Sequence, residues 1–168
     1  DPDVIGIQET KVNDPEFPID EIKKIGYHPE FWGQKGHYGV AILSKKKPEN
    51  VQKGFEGDSE DEQKRFIQAT FKWKRKKITI MNGYFPQGEN RSHETKFPKK
   101  IKLYDDLKKH IKKLKKVEEN LIVMGDFNVA PTELDIGIGA PNVKRWLRDG
   151  KTAFLPEEIQ MWNKIKNL

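Results

Sequence analysis

The chain has 168 residues and a mass of 19.6 kDa, enough for one domain with a buried core. Its 32 basic and 26 acidic residues leave a formal charge of +6, and all but five of the basic residues are lysine. This balance favours a polyanionic partner held by diffuse attraction to phosphate rather than by bidentate reading of bases. The absence of cysteine excludes disulfides, a cysteine nucleophile and thiolate metal sites. No apolar segment is long enough to span a membrane, so the sequence predicts a soluble, cytoplasmic protein without a membrane partner.

The N-terminal half predicts short strands separated by turns, with one helix. Residues 4–7 are apolar and predict a buried strand that presents Glu9 just beyond its end. Asp14 and the proline after it predict the start of a helix over residues 15–25, whose inward residues are Phe17, Ile22 and Ile25. Residues 53–64 predict a loop, and strands are predicted at 27–32, 40–43, 65–73 and 78–85, the last two as an antiparallel hairpin.

The C-terminal half predicts two helices around a short strand. Apolar residues recur at helical spacing from residue 97 to 119, with lysines on the solvated face, and predict the longest helix of the chain. Its inward residues are Ile101, Tyr104, Leu107, Ile111, Leu114 and Val117. The four apolar residues at 121–124 predict a strand buried on both faces. A last helix is predicted from Pro156 onward, with Ile159, Trp162 and Ile165 facing inward.

Asp126 and Asn128 follow the strand at 121–124. They are two residues apart, so an extended backbone would point both side chains to the same face. A carboxylate and an amide at the end of a buried strand are typical of sites in α/β proteins. Capping of a turn by Asp126 is an equally good interpretation of these residues alone.

Two further strands also end in polar groups, namely Glu9 and Tyr84. Carboxylate and amide oxygens without a neighbouring histidine or cysteine suit a hard, partly hydrated cation such as Mg²⁺. A tyrosine hydroxyl and a lysine such as Lys96 suit phosphate oxygens. Together these groups indicate metal-assisted phosphoester chemistry.

Four segments in this order resemble one known family. They are Gln8-Glu9-Thr10-Lys11, the run from Gly33 to Ala41, the run from Asn82 to Gly88, and Gly125-Asp126-Phe127-Asn128. The chain is similar to the exodeoxyribonuclease III (AP endonuclease) family of the endonuclease/exonuclease/phosphatase superfamily. The segments from Leu134 to Gly139, Arg145 to Leu147 and Phe154 to Glu158 resemble its bacterial members. The resemblance extends over essentially all 168 residues.

This resemblance implies a DNA repair phosphodiesterase that depends on Mg²⁺, with Mn²⁺ as the alternative ion. The implied activities are 3′–5′ exonuclease action on duplex DNA and cleavage 5′ to abasic sites. The implied partner is therefore double-stranded DNA with abasic sites or 3′ ends, and the full-length enzyme is expected to be a monomer. The implied fold is a two-sheet α/β sandwich flanked by helices.

The family's motifs also imply a role for each matching residue. Glu9 is expected to bind the metal, and Tyr84 to contact the scissile phosphate. Asp126 is expected to transfer protons around the attacking water or leaving group, and Asn128 to orient the phosphate. The implied DNA-binding residues are Arg65, Lys96, Gln87, Arg145 and Arg148.

The sequence departs from the family's pattern at both ends. The family begins with a strand whose asparagine helps to form the metal site, and it ends with a Ser-Asp-His motif; neither is found within residues 1–168. We therefore expect one incomplete α/β nuclease domain over residues 1–168, lacking the first strand and the C-terminal portion. Loss of members of a catalytic unit costs orders of magnitude in rate, so little activity is expected of the 168 residues alone.

Two other functions remain open from the sequence. The first is a non-catalytic fragment that binds DNA through lysine–phosphate contacts, which predicts salt-sensitive binding without cleavage. The second is a phosphoesterase of the same fold that acts on another substrate, such as a phosphoinositide or a sphingolipid. The basic balance and the bacterial motifs argue against this second alternative.

Overall fold

The computed structural model describes residues 1–59, 62–117 and 120–168. Two compact units divide the chain: a sheet unit, Asp1–Tyr84 with Leu114–Asp126, and a helical unit, Phe85–Lys113 with Phe127–Leu168. The strands are β1 Val4–Gln8, β2 His28–Trp32, β3 Val40–Ser44, β4 Asn50–Lys53, β5 Phe66–Trp73, β6 Lys76–Tyr84 and β7 Leu121–Asp126. The helices are α1 Ile19–Lys24, α2 Lys96–Leu114, α3 Glu133–Ile136, α4 Ala140–Arg148 and α5 Pro156–Lys166. Across the described residues, no helix is both long enough and apolar enough to cross a membrane.

The sheet unit contains two sheets. The first has the strand order β1-β3-β2, and all of its pairs are antiparallel. The second has the order β4-β5-β6-β7, in which β6 and β7 are parallel and the other pairs are antiparallel. The parallel pair ends with Tyr84 beside Asp126. The predicted hairpin of β5 and β6 is therefore confirmed.

Strand β3 shows how the two sheets pack. Side chains alternate between the two faces of a strand, and both faces of β3 are buried. Val40 and Ile42 pack with residues of β5 and β6 such as Ile67, whereas Ala41 and Leu43 pack in a second cluster. The second cluster also contains Phe17 and Tyr27. The predicted two-sheet sandwich is thus confirmed, with its core between β3 and the second sheet.

The prediction of one helix over residues 15–25 is wrong. The segment forms a 3₁₀ turn at Asp14–Glu16 and then the short helix α1, with Pro18 between them. Proline lacks a backbone N–H and restricts the residue before it, so the chain restarts its helix after Pro18. Phe17 is buried as expected, but Ile25 is 70% exposed.

The predicted extent of the long helix and the burial of β7 also need correction. Helix α2 ends at Leu114, and Val117 is 77% exposed, so its side chain provides little packing energy for another turn. The predicted residues 118–119 lie outside the described residues. Among the described residues, strand β7 pairs only with β6 and lies at the edge of its sheet, and Ile122 is 49% exposed rather than buried. Strand β4 was not predicted, since Val51 is its only apolar residue.

The helical unit has an aromatic core. Phe85 packs against Tyr104 of α2 and stacks on Phe127, with ring centroids 4.6 and 4.8 Å apart. The edge of Trp162 meets the Phe127 ring at 4.7 Å, which confirms the predicted inward face of the last helix, α5. The Tyr104 hydroxyl donates a hydrogen bond of 2.7 Å to the carbonyl of Phe127. These contacts fix the residue that precedes Asn128.

Candidate active site

Glu9 follows the last residue of β1 in a left-handed backbone conformation, with φ of 52°. Non-glycine residues adopt this conformation rarely, and it is often found at functional sites. The Lys11 ammonium lies 3.1 Å from the Glu9 carboxylate. Hydrogen bonds from Lys11 and then from Tyr84 lower the pKa of Glu9. The carboxylate is therefore ionised at neutral pH.

Tyr84 is the last residue of β6, and its hydroxyl donates a hydrogen bond to the Glu9 carboxylate. Partial burial, followed by this bond and by the negative charge of Glu9, raises the pKa of Tyr84 to about 12. The charge of Asp126 adds to this rise, and the nearby cation of Arg65 opposes it. Tyr84 therefore keeps its proton at neutral pH and acts as a hydrogen-bond donor.

Arg65 lies between two tyrosine rings. Its guanidinium carbon is 4.8 Å from the centre of the Tyr38 ring and 4.9 Å from that of Tyr84, within the range of cation–π contact. Its Nε donates to Gln63 and its Nη1 donates to the main-chain carbonyl of Tyr84, at 2.7 and 3.1 Å. Burial lowers the pKa of Arg65, although both tyrosines oppose this effect. Arg65 thus places a positive charge beside Tyr84 and fixes the orientation of its ring.

Asp126 ends β7 and is paired in register with Tyr84 of the neighbouring parallel strand. Its close approach depends on a pair of glycines, since Gly83 and Gly125 are paired one position earlier. Gly125 has φ of 138°, and a Cβ on it would lie 1.9 Å from the carbonyl oxygen of Gly83. Glycine is therefore required at position 125 for Asp126 to end the strand beside Tyr84.

Replacing Gly125 with alanine is expected to lower the free energy of unfolding by roughly 2–4 kcal/mol, because the new Cβ adds overpacking to left-handed strain. The matched control is Gly26→Ala, since Gly26 has φ of 88° but no atom within 4 Å of the added Cβ. The control should lose only the strain, about 1–2 kcal/mol. Urea unfolding followed by tryptophan fluorescence measures both values, and equal losses would contradict the close approach of the two strands.

Asn128 belongs to the helical unit and does not continue β7 as an extended strand, so the prediction that it shares a strand face with Asp126 is wrong. Strand β7 ends at Asp126, and Asn128 has φ of 49°. Its side-chain amide donates a hydrogen bond of 2.8 Å to the carbonyl of Phe85, and its own carbonyl accepts one of 2.7 Å from Lys100. The conformation of Asn128 is therefore set by contacts to α2 and to the residue after β6.

Lys100 is fully buried and forms an ion pair with Glu158, which is also fully buried. Its ammonium donates to the carbonyl of Asn128 and, at 3.3 Å, to the carbonyl of Gln87. The other carboxylate oxygen of Glu158 accepts a hydrogen bond of 2.9 Å from the backbone of Leu155, ahead of α5. This pair joins the segment after β6, the segment after β7 and the start of α5.

The other residues expected to bind DNA are exposed or part of local ion pairs. Gln87 is exposed and accepts a hydrogen bond of 3.0 Å from the backbone of Glu89. Lys96 forms an ion pair with Glu89 and lowers the pKa of that carboxyl. On α4, Arg145 donates to Asn142 at 3.1 Å and Arg148 to Asp149 at 2.9 Å. Contact of these residues with DNA stays a prediction.

The structure thus brings together part of the predicted site. Four of the predicted residues lie within the sheet unit, namely Glu9, Arg65, Tyr84 and Asp126. The charges of Glu9, Arg65 and Asp126 all affect the pKa of Tyr84. Asn128, Lys96, Gln87, Arg145 and Arg148 belong to the helical unit. Sequence reasoning did not assign Tyr38, Asn82, Lys100 or Glu158. Two of these residues could have been found from the sequence. Asn82 is a polar residue within an apolar strand, and Lys100 lies four residues before Tyr104 on the apolar face of α2.

The oxygen donors of the sheet unit fit a hard divalent cation. Among the described residues, no group of three or more histidine, cysteine, aspartate or glutamate side chains is arranged to hold a metal. Glu9 and Asp126 instead provide two carboxylates near the Tyr84 hydroxyl. Mg²⁺ commonly uses one or two protein carboxylates, retains several waters and takes its remaining ligands from substrate phosphates. The donor set therefore suits an ion shared with a phosphate substrate.

A sandwich of two sheets with acidic and phenolic groups at its strand ends is the architecture of one nuclease and phosphatase class. The model of the Endonuclease/Exonuclease/phosphatase family matches residues 1–163, and the chain belongs to this family. Nucleases of this family generally depend on a divalent metal ion.

Among its relatives, exodeoxyribonuclease III of Haemophilus influenzae is 51% identical over 164 residues, covering 98% of this chain and 61% of that protein. The NExo 3′ phosphatase from Neisseria, bound to a product DNA hairpin, has a TM-score of 0.86 at 27% identity, covering 99% of this chain and 60% of that one. An AP endonuclease from Archaeoglobus fulgidus has a TM-score of 0.80 at 32% identity, with the same coverage. The chain thus spans about three fifths of the length of these relatives. The resemblance to the exodeoxyribonuclease III family is confirmed.

Proposed function

We propose that the protein is a divalent-metal-dependent phosphodiesterase of DNA repair, cleaving 5′ to abasic sites and removing nucleotides from the 3′ ends of duplex DNA. The observation that carries the proposal is the grouping around Tyr84, which is paired in register with Asp126, lies under the Arg65 guanidinium and interacts electrostatically with the ionised Glu9 carboxylate. This grouping combines a metal-binding oxygen, a hydrogen-bond donor and a second carboxylate. We further propose Mg²⁺ as the ion, a monomer as the active form and the cytoplasm as its location.

Each residue has a distinct proposed role in the reaction. Glu9 would hold the cation, which when bound polarises the phosphate and acidifies a bound water. Tyr84, which keeps its proton, donates a hydrogen bond to an oxygen of the scissile phosphate. Asp126 accepts a proton from the attacking water or passes one to the leaving oxygen. For Asn128, in the helical unit, we propose the role that the family's motif implies, which is to orient a phosphate.

Charge supports DNA as the substrate. The chain carries a formal charge of +6, and Arg65 adds a fixed cation beside Tyr84. The Neisseria relative was solved with a product DNA hairpin, which supports the same class of substrate here. We propose that Arg65, Lys96, Gln87, Arg145 and Arg148 contact the DNA. Lys96, Arg145 and Arg148 would then give up their local contacts and bind backbone phosphates instead. Those local contacts are with Glu89, Asn142 and Asp149, respectively.

The test uses the protein expressed from the complete reading frame that encodes these residues, and a 5′-labelled duplex with one abasic site. We expect a single cut 5′ to that site in Mg²⁺ and none in EDTA. Glu9→Gln should lower the rate at limiting Mg²⁺ by at least about 10–100-fold, because even changes to groups behind a metal ligand cost that much. Added metal should partly restore the rate, which gel analysis of the products measures.

The control is Glu21→Gln, which removes an exposed carboxylate on α1 and should leave the rate unchanged. Two results would overturn the proposal. Salt-sensitive binding of the duplex without cleavage would indicate a DNA-binding protein. Hydrolysis of a phosphoinositide or sphingolipid with no action on the duplex would indicate another phosphoesterase of the same fold.

A further inference from the structure

Asn82 is a fully buried amide in the middle of β6. Its Nδ2 donates two hydrogen bonds of 2.9 Å, to the carbonyls of Ile7 and Ala41. Its Oδ1 accepts a third of 2.6 Å from the side chain of Gln8. All three partners belong to the other sheet, on strands β1 and β3. The amide therefore joins the two sheets by directed bonds.

The hydrogen-bond network of Asn82 and Gln8 is adjacent in sequence to the candidate catalytic residues. Gln8 immediately precedes Glu9, and Asn82 lies two residues before Tyr84 on the same face of β6. Room for the amide comes from Gly6 of β1, since a Cβ on Gly6 would lie 2.9 Å from Asn82 Oδ1. The facing strand thus has no side chain where Asn82 needs space.

An apolar residue would satisfy the packing requirement at this position. Ile80, which shares the face of Asn82 on β6, packs in the apolar core between the sheets. Apolar contacts are not directional, so they allow small shifts of one sheet over the other. A buried amide with its hydrogen bonds satisfied favours one arrangement, because any shift leaves buried polar groups unpaired.

We propose that Asn82 is a positioning residue that holds the end of β1 carrying Glu9 against the end of β6 carrying Tyr84. The inference rests on the proposed phosphodiesterase function for its catalytic consequence. Its structural consequence, the contact between the Glu9 and Tyr84 side chains, is independent of that function. Asn82 touches neither the phosphate nor the ion and acts through β1.

The primary test is Asn82→Leu, which keeps the number and branching of the side-chain heavy atoms and removes the hydrogen-bonding groups. We expect the nuclear Overhauser effect between the Tyr84 ring and the Glu9 side chain to be lost. We also expect kcat on the abasic-site duplex to fall by about 10–100-fold with little change in KM, as for groups that orient a metal ligand. NMR of the folded protein and steady-state kinetics measure these two effects.

The matched control is Thr79→Val. Thr79 is also buried in β6, but its hydroxyl is hydrogen-bonded at 3.0 Å to Thr70 of its own sheet. Thr79→Val should lower stability while the Glu9–Tyr84 effect and kcat stay as in the wild type. Equal losses of the contact and of kcat in both variants would show a general role in stability and overturn the inference.

A second variant, Gln8→Met, covers the case in which Asn82→Leu does not fold. It removes one bond of the network at a half-buried position, and it should weaken the Glu9–Tyr84 effect and lower kcat by a smaller factor. Retention of both by every folded variant would overturn the inference. A wild-type protein that does not cut DNA, together with loss of the contact in the variants, would refute the proposed function and support the positioning role.

Discussion

Replacing Lys100 with methionine is expected to lower the free energy of unfolding by about 3–5 kcal/mol, because the change leaves the buried carboxylate of Glu158 without its cation. The carbonyls of Asn128 and Gln87 lose the same donor. The total stability of a typical domain is only about 5–15 kcal/mol, so the loss is a large part of it. Urea unfolding of the protein, followed by tryptophan fluorescence, measures the change.

The matched control is Lys102→Met, two residues further along α2. Lys102 forms an ion pair with Asp106 at 2.6 Å, but its side chain is 62% exposed. Solvent-exposed pairs of this kind contribute about 0–1 kcal/mol, so the control should be close to the wild type. If Lys100→Met lost no more than Lys102→Met, the buried pair would not stabilise the segment that carries Asn128.

Local patterns of apolar residues predicted most of the fold. The runs that form β1, β3, β5 and β6 were each apolar enough to predict a strand, and the two-sheet sandwich followed from the family resemblance. The errors lie where tertiary contacts decide the outcome. Four apolar residues in a row cannot show that β7 lies at the edge of a sheet, and β4 forms mainly through backbone pairing with β5. Pro18 is the one local signal of the helix break, since proline cannot continue the turn that precedes it.

The candidate site was predictable as a list of residues but not as a set of interactions. The motifs identified Glu9, Tyr84 and Asp126, which the structure brings together through the sheet order β6-β7 and the packing of β1. Hydrogen bonds next to these residues join positions far apart in sequence, for example Gln8 and Asn82, which are separated by 74 positions. No local pattern reveals such a pair. Left-handed backbone at Glu9 and Asn128 likewise depends on tertiary contacts.

Asp126 is the residue for which the largest loss of catalysis is expected. Its carboxylate is exposed at the end of β7, beside Tyr84, whose pKa of about 12 keeps the hydroxyl protonated at neutral pH. Tyr84 therefore cannot accept a proton from water at neutral pH. Glu9 is occupied by Lys11 and Tyr84, and it is the proposed ligand of the cation. Proton transfer is therefore proposed for Asp126, the second carboxylate among the described residues whose charge acts on Tyr84.

Asp126→Asn is accordingly expected to lower kcat on the abasic-site duplex by about 10³-fold, within the 10²–10⁴-fold range of general acid–base groups. Asparagine has the same shape, so KM and the thermal midpoint should change little, and single-turnover kinetics in saturating Mg²⁺ measures the chemical step. The control Asp20→Asn, at an exposed position of α1 in the same unit, should retain full activity. A kcat for Asp126→Asn within threefold of the wild type would show that another group moves the proton.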